Sequence, residues 1–129
     1  MLFRSIEKGS SFKLSLVYKD NSGNIIDITN YCARLTWSTN TGTTTTFTTD
    51  NIDLSQYSFT IDGSNGKLIF LLPASITNSF NFSLAKYDLE LRSPEDLYEG
   101  GGKYTTRILF GTINIVKRFS QAGSEIDCP

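Results

Sequence analysis

Two carboxylates, Asp88 and Glu90, stand two residues apart in "AKYDLELR" and fall on one face of a strand. Such a pair could hold a cation or share acid and base roles. Arg92 continues the same row, however, and a row of mixed charge is what a solvated strand face carries. We read it as that. "GGGKYT" has the flavour of a phosphate loop, but Leu97 stands where the first glycine of that loop belongs and Tyr104 where its magnesium-binding hydroxyl belongs. "DNSGNIID" fails as a calcium loop because Gly23 falls at the fourth position rather than the sixth. The chain has no histidine, which removes Ser-His-Asp and Cys-His nucleophilic sites and every histidine-containing zinc site. Asn81-Phe82-Ser83 is a glycosylation sequon, read as chance without a secretion signal. The expectation is a protein that is not an enzyme and carries no metal or cofactor.

The 129 residues suit one domain, 39% hydrophobic and 19% charged, with a net charge of −1. That charge leaves no bulk footprint for nucleic acid. No stretch approaches the roughly 20 apolar residues of a membrane span. "MLFRSIEKGS" has no apolar core of signal-peptide length, so a mature, unprocessed soluble protein is expected. Cys32 and Cys128 make no disulfide framework. They are read as free thiols in a reducing compartment, with a staple for the C-terminal tail as the alternative.

Almost every segment has period two. Phe12, Leu14, Leu16 and Tyr18 share one face, and Tyr31, Ala33, Leu35 and Trp37 share another. "YSFTI" and "KLIFLL" flank "DGSNG" as a hairpin. Seven of the nine residues from Thr41 to Thr49 are threonine, read as a loop and a polar edge strand around Thr44–Thr49. An ice- or glycan-binding array would need flat, regular threonine spacing over several strands. "PASITNSF" is the one helix, about two turns from Pro73. "SPEDLYEGGGKY" is a long polar loop, and residues 118–129 have no period and are expected to be a mobile tail. About seven short strands with turns between them predict an immunoglobulin-like β-sandwich over residues 1–117, antiparallel, with one short helical turn. Roughly fifteen large apolar side chains face inward, at about 1.5–3 kcal/mol each when fully buried.

The stretches Gly9–Leu14, Gly23 and Ile26–Arg34, followed by "AKYDLELR" and "LFGTINIV", resemble the small immunoglobulin-like domains of tailed-bacteriophage virion proteins. Those are tail, baseplate and fibre-attachment components. The resemblance covers about residues 6 to 117 and departs at Asn30, where such domains carry a turn glycine. It implies a structural or assembly role in a virion. The protein would be made in the host cytoplasm and would contact other virion proteins or its own copies, without nucleic acid. A carbohydrate-binding or adhesion module on the same fold is the alternative, using Tyr98 and Tyr104 beside the glycine loop.

"RILFGTINIV", Arg107 to Val116, raises the sharpest question. Gly111, Ile113 and Ile115 alternate inward, but Ile108, Leu109 and Phe110 are all apolar. In the resembling domains the residue before this glycine is outward and often polar; here it is Phe110. Outward Ile108, Phe110 and Val116 would form a partner interface. A β-bulge at Gly111 that turns Ile108 and Phe110 inward, or a tail folded over them, are the alternatives.

Overall fold

The computed structural model describes residues 2–50, 56–96 and 103–117. Eight strands form two sheets. In chain order they are β1 (Leu2–Glu7), β2 (Phe12–Val17), β3 (Cys32–Thr39), β4 (Thr44–Thr48), β5 (Ser58–Asp62), β6 (Lys67–Leu72), β7 (Leu84–Asp96) and β8 (Lys103–Val116). The larger sheet runs β1-β8-β7-β3-β4 and the smaller β2-β6-β5. This is the immunoglobulin arrangement: β2, β6 and β5 take the places of strands B, E and D, and β8, β7, β3 and β4 those of G, F, C and C′. β1 pairs with β8 in parallel, so the sandwich has one strand more than the sequence suggests, and one pairing is not antiparallel.

The alternation read from the sequence builds the core. Ala33, Leu35 and Trp37 of β3 face Ala85, Tyr87, Leu89 and Leu91 of β7, all buried. Leu14, Phe59, Leu68, Phe70 and Leu72 close over them from the smaller sheet. Trp37 is the buried tryptophan expected on strand C. It packs edge-on against Phe47 at 4.8 Å, and Phe47 passes the contact to Phe70 at 5.0 Å. Leu89, two residues after Tyr87 and 1% exposed, stands where an antibody domain places the second cysteine of its inter-sheet disulfide. Apolar packing does that work here. Cys32 is half-buried and makes no disulfide among the described residues, and Cys128 lies outside them.

The threonine run forms an edge strand, as its composition suggests: β4 pairs only with β3 in its sheet. Tyr57 ties this edge to the smaller sheet. Its hydroxyl accepts from the Thr48 N–H at 3.1 Å and donates to the Thr48 carbonyl at 3.3 Å.

The helix α1 (Ala74–Asn78) is shorter than the two turns expected, and Pro73 sits at its N-cap, just before the first turn. Its purpose is visible in Thr77, which is fully buried. The hydroxyl accepts from the Gly9 N–H at 3.1 Å and donates to the Ser10 carbonyl at 2.8 Å, with the Ala74 carbonyl at 3.1 Å. One side chain thus fastens the β6–β7 crossover to the β1–β2 turn. Asn30 takes the left-handed backbone at φ 65°, the conformation for which a glycine would be the usual choice.

Candidate functional site

The outward face of the larger sheet is laid out in rows by the strand register. Thr48, Arg34, Glu90 and Arg107 form one row across β4, β3, β7 and β8. Thr46, Thr36, Asp88 and Phe110 form the next. Thr44, Ser38, Lys86 and Thr112 form a third. Asp88 and Glu90 therefore share a face, as the sequence predicts, and each has a cation or an aromatic as its cross-strand neighbour.

Phe110 is 45% exposed, an unusual position for a phenylalanine in the middle of a sheet. A β-bulge puts it there. β7 and β8 pair in register at Leu89–Leu109, then resume at Glu90–Arg107, leaving Ile108 as the extra residue. The bulge is at Ile108, not at Gly111, and its effect is the reverse of the inward turn considered for Phe110. Ile108 is half-buried and packs against the core cluster, while Phe110 stays outward. Val116 is 44% exposed at the far end of β8, where it pairs with Glu7. Of the three residues singled out on this strand, two are exposed, and they are six residues apart. Tyr98 lies outside the described residues, and Tyr104 is described only as backbone of β8.

Charge organises the rest of the face. Arg34 Nη2 donates to Glu90 Oε1 at 2.8 Å. That hydrogen bond, with the Glu90 charge behind it and Asp88 further off, holds the Arg34 guanidinium above its ordinary pKa against a small opposing desolvation. Asp88 Oδ1 is buried with no hydrogen-bond partner among the described residues. The Arg107 guanidinium lies 4.6 Å from the centre of the Phe110 ring. Together with Thr36, Ser38, Lys86 and Asp88, this pair borders a depression of about 390 Å³.

An exposed aromatic under an arginine, ringed by threonines and fixed charges, has the composition of an interface centre with a polar rim. The sequence pointed to Phe110 through its apolar character before Gly111. It gave no signal for Arg107, because three residues of separation place two side chains on opposite faces of a regular strand. Among the described residues no group of three or more acidic, cysteine or histidine side chains is placed to hold a metal, and no helix is long and apolar enough to cross a membrane.

Neither the protein-family models nor the curated proteins compared with this sequence give a match.

Proposed function

We propose that this chain is a non-enzymatic structural or assembly protein of a tailed-bacteriophage virion, working through protein–protein contacts made by the outer face of its larger sheet. The observation that carries the contact is Phe110, 45% exposed at mid-sheet with Arg107 over its ring. Water gains nothing from an aromatic ring on its surface, whereas a partner burying it would gain about 25 cal/mol for each Å² of apolar area covered. Arginine and aromatic side chains are also the types that dominate interface energetics. The virion setting is supported by the resemblance carried by Gly9–Leu14, Ile26–Arg34, "AKYDLELR" and "LFGTINIV" on an immunoglobulin-like sandwich.

The test is peptide mass spectrometry on gradient-purified phage particles from the producing culture, with copy number measured against the major capsid protein. A fixed stoichiometry is expected, and a low multiple of three or six would point to the tail or baseplate. Absence of the chain from clean particles would remove the virion reading.

A further inference from the structure

We propose that a second site, at the end of the sandwich where β1 and β8 finish, binds an acidic sugar: a pyranose ring carrying a carboxylate. A depression of about 450 Å³ opens there, within the roughly 300–1,000 Å³ range of small-molecule sites. Its apolar wall is Phe80, Phe82 and Ile115. The two rings are 4.9 Å apart, and Trp37 backs them at 5.6 and 6.0 Å, so they are held in place from behind.

The polar wall is equally fixed. Asn40 Nδ2 donates to Ser83 Oγ at 3.0 Å, the Asn40 N–H donates to the Leu84 carbonyl at 2.9 Å, and the Ile115 N–H donates to the Ser83 carbonyl at 2.9 Å. These bonds lace the β3–β4 turn, the segment before β7 and β8 into one preformed surface. Preformation lowers the ordering entropy that binding must overcome. The Asn81 amide, on the same rim, makes no hydrogen bond among the described residues. Lys8 and Lys117 complete the border. They are neighbours because the Lys8 N–H bonds the Val116 carbonyl at 2.8 Å. Among the described residues neither has an ion-pair partner, and no acidic side chain lines the depression.

Three features must be matched together. A neutral sugar could lie on the rings and pair with the amides and hydroxyls, but would gain no charge-assisted hydrogen bond from the two ammonium groups. A fatty or aromatic acid would answer the lysines and the rings while stripping water from Asn40, Asn81 and Ser83 without replacing its hydrogen bonds, which is unfavourable. A carboxylated pyranose answers all three: C–H faces for the phenylalanines, hydroxyls for the amides and a carboxylate for the lysines. This site is at the sandwich end, separate from the Arg107–Phe110 face.

Titrating the isotope-labelled chain with a galacturonic acid disaccharide, followed by amide NMR, tests the proposal. Saturable shifts confined to the neighbourhood of Lys8, Asn40, Asn81 and Ser83 are expected. The Lys8→Gln/Lys117→Gln double variant should bind roughly tenfold or more weakly, since charge-assisted hydrogen bonds are the stronger kind. Lys117 is exposed and Lys8 half-buried, neither is in the core, and the variant's spectrum should otherwise match that of the parent. A neutral galactose disaccharide that binds as well, octanoate that binds better, or no saturable shift with the uronate would each overturn the assignment. So would uronate binding that the double variant leaves unchanged.

Discussion

Arg107 and Phe110 are three residues apart on one strand, yet they share a face and the guanidinium sits 4.6 Å from the ring centre. The extra residue at Ile108 makes this possible, because it resets the alternation between them. The bulge thus performs two tasks at once. It sends Ile108 toward the core and brings a cation over an exposed aromatic, a pairing worth about 0.5–1 kcal/mol at a surface.

The first prediction concerns that pair. Phe110→Ser should abolish incorporation into particles, or self-association in solution, while leaving thermal stability within about 1 kcal/mol of the parent, the size of the lost cation–ring pairing. Arg107→Ala should weaken the same assembly to a smaller extent. Sedimentation velocity and co-purification with particles read the first effect, and denaturant melts read the second. Unchanged assembly in Phe110→Ser would dismiss this face as the contact, and a destabilised monomer would mean the ring supports the fold instead.

Thr77→Val keeps shape and removes the hydroxyl that joins α1 to the β1–β2 turn. The Gly9 N–H and the Ser10 carbonyl would lose their buried partner. A loss of about 1–3 kcal/mol is expected, measured as a shift in the urea midpoint at constant slope. Thr77→Ser, which retains the hydroxyl, should recover most of it.

Two turn positions should respond in opposite ways. Asn30→Gly should be neutral or stabilising, since φ 65° suits glycine without strain, whereas Asn30→Val should lose about 1–2 kcal/mol. Gly66 has φ +62°, and an added Cβ would meet the Ile26 carbonyl oxygen at 2.6 Å. Gly66→Ala should therefore be clearly destabilising, and its melting temperature should fall well below that of Asn30→Gly.

Acid should loosen the β2–β3 connection. The backbone N–H of Asn24, above all, and that of Ser22 donate to the Asp20 carboxylate and hold its pKa below the ordinary 3.8. Asp27 is lowered likewise, first by the Thr29 hydroxyl and then by the Thr29 N–H. A depressed carboxylate favours the folded state above its unfolded pKa, and that contribution disappears as pH falls through the folded value. Stability should thus be level through neutral pH and decline below about pH 4, with a shallower decline in an Asp20→Ala/Asp27→Ala variant. An equally steep acid limb in that variant would place the acid-sensitive groups elsewhere.

The strands with clean alternation were legible in advance. Ala33, Leu35 and Trp37, or Tyr87, Leu89 and Leu91, announce both their conformation and their buried face, because one side of each strand must meet the core. Even the departure at Asn30 was readable, since asparagine is among the few residues that tolerate a left-handed turn. β1 was not. Its inward row alternates Arg4 with Ile6, and the charge breaks the pattern that marks a half-buried strand. An inward charge on an edge strand also discourages pairing with another chain. The bulge at Ile108 was hidden for a related reason: three consecutive apolar residues fit either phase, and the neighbouring glycine drew attention to the wrong position. Gly111 is simply the inward residue opposite Tyr87.

The parallel edge has a consequence for how the molecule is made. Leu2 aligns with Gly111 and Glu7 with Val116, so β1 is synthesised well before the strand it pairs with. At about 5–20 residues per second, β1 waits several seconds or more with its hydrogen-bonding groups unmatched. The contact that closes this sheet is among the most distant in sequence that the chain can form, and such contacts form late and slowly. A ribosome paused before β8 would hold a sandwich with β7 uncovered on one side and β1 without a neighbour, two bare edges that β8 brings together.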